Sequence, residues 1–141
     1  MTNTTSTDDC VFCRIATGTE RAQIVLRSAT SCAFLDHAPA APGHVLVIPT
    51  EHVETLPAME PERAGALFET VQHVSDAIDR VCSPDGISII QSNGRAAGQE
   101  VFHAHVHVIP RSVDDQITLS WEPTPADPNG AIAEGLEREL A

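Results

Sequence analysis

The chain has 141 residues, with 20 acidic side chains against 8 basic ones and a net charge of −12. That length supports one hydrophobic core and not two. The charge speaks against nonspecific nucleic-acid binding, which draws on a basic surface. Residues 1–9 are polar and acidic, without the basic start or apolar centre of a signal peptide. No apolar run approaches the roughly 18 residues of a membrane span, so a cytoplasmic protein with no membrane partner is expected. All eight basic residues are arginine and none is lysine. An acidic, lysine-free surface suits a halophilic setting, where molar salt screens self-repulsion; an ordinary acidic mesophilic protein is the alternative.

In chain order, residues 1–9 read as a disordered acidic N-terminus, 10–113 as the folded domain, and 114–141 as an irregular arm with a short final helix. Cys10 and Cys13 form a C-x-x-C pair. Without a secretory signal such a pair is redox-active, metal-binding, or simply two reduced thiols. As a metal site it is half complete and needs two further ligands. A short helix is expected over 11–17, stopped by Gly18. Two strands follow at 23–27 and 32–35, joined as a hairpin. Cys32 and Cys82 lack neighbouring cysteines and read as core fillers. A stiff proline loop at 38–43 leads to a strongly apolar strand at 44–48, ended by Pro49. Residues 54–61 are loop, and Pro61 suits the first position of a helix reaching about residue 81. Leu67, Val71, Val74, Ile78 and Val81 recur at helical spacing as its buried face, leaving His73 solvated. A turn at 83–86 precedes a strand at 86–91. Trp121, Pro123, Pro125 and Pro128 mark the irregular arm, and 132–140 is the last helical stretch. The order of elements predicts an α+β fold with an antiparallel sheet.

The centre of the chain is Asn93 to Arg111, and within it His103-Ala104-His105-Val106-His107-Val108. On a strand, residues two apart share a face, so the three histidines line one side roughly 6.5–7 Å apart. Phe102, Ala104, Val106 and Val108 then point into apolar packing, and Pro110 ends the strand. One histidine on a strand is usually structural. Three on one face, each needing a hydrogen-bond partner, point to metal ligation or to acid, base or nucleophile chemistry on an anion. The preceding loop, Asn93-Gly94 to Gly98-Gln99, offers free N–H donors and close backbone approach, which suits a phosphate. Arg95 and Arg111 are the cations nearest this loop in sequence, and with its amides they would offset the negative field for a small nucleotide.

These residues resemble the histidine triad (HIT) family of nucleotide hydrolases and transferases. The resemblance rests on His103-x-His105-x-His107 followed by apolar residues, with Cys10-Val-Phe-Cys13, Ala33-Phe-Leu-Asp36, Ala41 to Pro49, Glu51-His52, Asn93-Gly94 and Ala97-Gly-Gln99 in order. It implies a HIT-like α+β fold, an antiparallel five-stranded sheet with one short N-terminal helix and one long helix, paired as a homodimer. It implies that His105 attacks the α-phosphorus of a purine nucleotide, forms a nucleotidyl-histidine, and releases AMP on hydrolysis. A main-chain carbonyl at His103 would hold the other ring nitrogen of His105, while His107 and His44 bind phosphoryl oxygens. Asn93 and Gln99 would position the phosphate, Asp36 the ribose, and Phe12, Phe34 and His37, with Ile15 undecided, the purine. Cys10, Cys13, His52 and His103 would hold a structural zinc, with no metal or other cofactor needed for catalysis. The branch implied is the Hint-like, zinc-bearing one, acting on adenosine phosphoramidates or aminoacyl adenylates. Dinucleoside polyphosphates are the alternative substrates, and a non-enzymatic metal- or nucleotide-binding module is the alternative class. Glu100 departs from the serine or threonine common in the family, which leaves the leaving-group preference open.

Overall fold

A computed structural model describes residues 9–127 and 129–141. The disordered terminus expected at 1–9 therefore falls, up to residue 8, outside the described residues. Helix α1 (Val11–Thr17) starts where the Cys10 sulfur accepts the Cys13 N–H at 3.4 Å, and stops at Gly18 in the left-handed conformation. Strands β1 (Ile24–Arg27), β2 (Ser31–Leu35) and β3 (Val45–Pro49) come next. The long helix α2 (Pro61–Cys82) opens on proline, followed by β4 (Gly86–Gln91), β5 (Val106–Arg111) and, after the arm, α3 (Ala131–Leu140). The sheet is antiparallel throughout, in the order β1-β2-β3-β5-β4. The α+β expectation and the five strands hold.

Both faces of the central strands are covered, which is why β3 is apolar at every position. Ala33, Val45, Val47, Ala104, Val106 and Val108 pack with Leu67, Val71, Val74 and Ile78 of α2. Cys32, Phe34, Leu46 and Ile48 pack on the other face with Cys10, Phe12, Cys13 and Ile15 from α1 and its cap. The period of two sorts alternate residues onto alternate cores.

Several expectations change. Strand β5 begins at Val106, not at His103. Ala104 donates its N–H to Val53 O at 2.7 Å, and the Pro49 carbonyl is taken by the His103 ring at 2.8 Å instead of by a strand neighbour. His103 and His105 thus precede the ladder, although Ala104 still packs with Val106 and Val108 on the α2 side. Pro110 lies inside β5, opposite Ile87. It is tolerated because β3 pairs with β5 only as far as Val108, so no β3 residue borders Pro110. Phe102 stays half-buried beside the Arg95 guanidinium, 5.7 Å from its carbon to the ring centre. Val81, in the last turn of α2, is 82% exposed and Cys82 is exposed; Cys32 is the buried cysteine of that pair. The loop before α2 contains one 3-10 turn, Leu56–Ala58.

Candidate active site

The histidine run divides into two sites on the α1 side of the sheet. The ring of Phe12 joins them, meeting His105 edge-on at 5.1 Å and His103 at 5.9 Å between centres.

His105 and His107 line an open cavity of about 1080 Å³ with Phe12, Ile15, Phe34 and Leu46, then Asp36 and His37, then Glu20, Arg21, Glu100 and Val101. That size lies just above the roughly 300–1,000 Å³ common for small-molecule sites. One end is apolar and aromatic, with Phe12 and Phe34 in edge contact at 5.6 Å. The middle carries the two imidazoles, and charged side chains ring the rest.

Main-chain atoms dictate where the ring protons sit. His105 Nδ1 lies 2.8 Å from the His103 carbonyl, which can only accept. Nδ1 therefore carries the proton, and Nε2 is left with a lone pair at the cavity. The Ala40 N–H donates to His44 Nδ1 at 3.0 Å, so the proton of neutral His44 is on Nε2. That Nε2 lies 2.9 Å from His107 Nδ1 and donates to it. His107 in turn holds its proton on Nε2, as a donor. Burial first, then the charges His105 and His44 would carry, pushes the His107 imidazole down to about 4, with Asp36 opposing. His44 is lowered by burial too, again opposed by Asp36. Burial thus favours the neutral form of His107 and His44, and the cavity holds the open His105 Nε2 beside the His107 N–H donor.

Asp36 accepts the Ala38 N–H at 2.9 Å and lies 3.6 Å from His44 Nε2. Its side chain remains partly exposed at the cavity, beside the fully exposed ring of His37. Asn93 and Gln99 do not line the cavity. Asn93 accepts from Leu56 N–H at 2.7 Å and exchanges hydrogen bonds with the Gln91 amide. Gln99 is 2% exposed; its oxygen accepts the Gly94 N–H at 2.7 Å, and its nitrogen donates to the Glu54 and Val101 carbonyls. Both amides tie the Gly94–Gly98 turn to its surroundings. Arg111 is bound to Asp115 by two hydrogen bonds and lines a separate apolar groove instead. Arg21 is the cation that borders the cavity. Its position at the loop before β1 gave no pattern in the sequence.

The second site is the cluster Cys10, Cys13, His52 and His103, whose ligand atoms lie within 4.8 Å of one another. Cys10 Sγ is 3.4 Å from His103 Nδ1, and Cys13 Sγ is 3.3 Å from His52 Nδ1. A tetrahedral zinc with bonds of 2.0–2.3 Å separates its ligands by about 3.3–3.8 Å, so these spacings fit the ion. The proton pattern fits as well. His103 donates Nε2–H to the Pro49 carbonyl, which turns an unprotonated Nδ1 towards the sulfurs. Without a cation, burial and the adjoining Cys10 thiol push Cys13 up to about 12, while burial pushes His103 down to about 4. A divalent ion reverses the cost of ionising the thiols.

Asp36, His44 and His107 also gather within 4.8 Å. The same test separates them from the first group. The Ala40 N–H keeps His44 Nδ1 as acceptor, so Nε2 bears a hydrogen and cannot ligate without forming an imidazolate. This group is a hydrogen-bond relay.

Residues 17–114 match the family model described as the HIT domain. The chain is 35% identical over 129 residues to the adenosine 5′-monophosphoramidase of Schizosaccharomyces pombe, covering 91% of this chain and 94% of that protein. Among solved structures, a HIT-family protein of Bacillus subtilis superposes with a TM-score of 0.88 at 33% identity, covering 94% of this chain and 98% of that one. A zinc-bound histidine triad family protein of Mycobacterium smegmatis superposes with a TM-score of 0.76 at 32% identity, covering 84% and 86%.

Proposed function

Because this chain belongs to the HIT-domain family, we propose that it is a hydrolase that cleaves purine nucleotides at the α-phosphorus through a covalent intermediate on His105. The observation that carries this reading is the 2.8 Å contact of His105 Nδ1 with the His103 carbonyl, which leaves Nε2 unprotonated at the cavity. A neutral imidazole so held is a competent nucleophile near neutral pH. In the first step the Nε2 lone pair forms a bond to phosphorus while the bond to the leaving group breaks. The leaving group departs with that electron pair and takes a proton from water. In the second step water adds to phosphorus and gives a proton to the hydroxide left by the first step, the P–N bond breaks with its electron pair returning to Nε2, and a nucleoside monophosphate is released with His105 restored. His107, held by His44 in its Nε2–H form, donates to a phosphoryl oxygen as negative charge gathers there. Phe12, Ile15 and Phe34 would receive the base, with His37 at the mouth, and Asp36 the ribose hydroxyls. Asn93 and Gln99 act one step back, by shaping the loop.

The favoured substrates are adenosine phosphoramidates and related adenylates, in line with the phosphoramidase it resembles. Cys10, Cys13, His52 and His103 would hold zinc, and the role of that ion is structural: it fastens α1, and with it Phe12, to the histidine run.

The test is AMP release from adenosine 5′-phosphoramidate, with intact-mass detection of the adenylylated protein. His105→Ala should lower kcat at least about 10³-fold and abolish the adduct while the fold persists. Release that survives in a folded His105→Ala protein would overturn the assignment.

A further inference from the structure

Three features lie outside the proposed chemistry: the apolar groove of about 840 Å³ between β1 and the end of α2, the apolar stripe of α3, and the charged rim of the active cavity. Nothing in the structure says what covers the first two. The rim carries a consequence for substrate choice. An enzyme acting on a phosphate would be expected to surround it with cations, yet among the described residues this cavity is bordered by three carboxylates, Glu20, Asp36 and Glu100, and by Arg21 alone of the arginines.

Two of the carboxylates are already engaged. Glu20 is paired with Arg14 at 3.1 Å, and Asp36 accepts the Ala38 N–H and lies beside His44. Glu100 has no hydrogen bond or ion pair among the described residues, and it is exposed. Its backbone position is nevertheless set. The preceding Gln99 is buried and bonded to the Gly94, Glu54 and Val101 main chain, and Val101 shares the cavity wall. Glu100 is therefore a charge held at the wall of the cavity with its carboxylate left for a ligand.

We infer that Glu100 selects leaving groups that carry a positive charge, such as amines bearing a second, protonated amine, and disfavours anionic ones. This deepens the function proposed above and rests on it. The α-phosphate is met by neutral groups, the His105 ring and the His107 N–H, so the charge preference of the site falls to the part of the substrate beyond the phosphate. The Glu100 carboxylate, on the wall of the cavity that also holds His105 and His107, attracts an ammonium group and repels sulfate, phosphate or carboxylate, and the net charge of −12 acts in the same sense at low salt. Such an interaction between solvent-exposed charges weakens as salt rises.

The experiment compares kcat/KM for three adenosine phosphoramidates of equal chain length, ending in an ammonium, a methyl and a carboxylate. The expected order is ammonium, methyl, carboxylate, with the spread narrowing as KCl is raised. Glu100→Gln should lower the ammonium-to-methyl ratio about tenfold, and Glu100→Lys should invert the order. Glu139→Gln removes the same charge on α3, which lines no part of the cavity, and should leave the ratio in place. Hydrolysis without charge discrimination, or discrimination that survives Glu100→Gln, would overturn the charge selection alone. No turnover of any of the three by the folded wild type would overturn the hydrolase reading and this inference with it.

Discussion

The His107 imidazole is held neutral down to about pH 4 by burial and by the neighbouring histidines, while the same ring in an unfolded chain titrates near 6.5. Between those values the unfolded chain binds the extra proton, so stability falls as pH drops from about 6.5 towards 4 and then levels off. For His107 alone the interval corresponds to roughly 2–3 kcal/mol, allowing for partial solvent screening. Denaturant midpoints taken across this range should show the slope, and His107→Asn should reduce it, leaving the share contributed by His103 and His44. At Gly43 the argument is steric. Its φ of +94° lies in the left-handed region, and an added Cβ would stand 2.8 Å from Cys82 Sγ and 3.3 Å from the Pro110 ring. Gly43→Ala should cost about 1–3 kcal/mol in thermal or chemical unfolding. It should also lower activity, because the next residue is His44.

Among the elements, α1 depends on the histidine run for its place. Both sulfurs of its cap and first turn face His52 and His103, so an ion held by the four residues would tie α1 to the histidine run in addition to its apolar packing. Since the Cys13 thiol is pushed well above neutrality, it stays protonated until an ion arrives. Calorimetric zinc titrations in buffers of different ionisation heat should therefore report the release of up to about two protons per ion at pH 7. The bound form should melt at a higher temperature than the chelator-treated one, and Cys13→Ser should remove both effects. The four ligands were legible in the sequence only through the family resemblance, because Cys10 and Cys13 alone make half a site. The alternation of His103, Ala104 and His105 was also readable, but not the point where pairing stops. That point depends on two long-range main-chain contacts, Val53 O with Ala104 N–H and Pro49 O with the His103 ring, which no local pattern encodes. Val81 and Cys82 failed for a related reason: helical spacing says which face a residue is on, not whether the sheet extends beneath it. Asn93 and Gln99 were readable as residues of the loop, whereas the direction of their amides was set by the remote Leu56 and Glu54 backbone.

For the molecule as a whole, the dominant force not satisfied internally is charge. The ion pairs Arg14–Glu20, Arg63–Glu51 and Arg80–Asp76 are exposed or partly so, and pairs of this kind contribute about 0–1 kcal/mol each. They do little against a net charge of −12. Raising KCl from dilute buffer to the molar range should increase the melting temperature steadily, by roughly 5 °C or more if repulsion opposes folding by about 1 kcal/mol. A flat response would argue for an acidic protein with no dependence on salt. No helix among the described residues is long and apolar enough to cross a membrane. Among the described residues the strand β4 pairs with β5 alone, and Ile89 on it is 50% exposed, an open edge of the kind that a second copy can extend.

The proton placement of the histidines comes from the Pro49 and His103 carbonyls, which every residue type supplies, and the Ala40 amide N–H, which every type but proline supplies. Side-chain substitution at those three positions changes packing without touching the groups that orient the rings, apart from the histidine itself. The converse applies to anyone who would transplant the site. Three histidines copied onto another strand at the same spacing would arrive without their tautomers, and a graft has to carry the backbone at 40, 49 and 103 before it carries the rings.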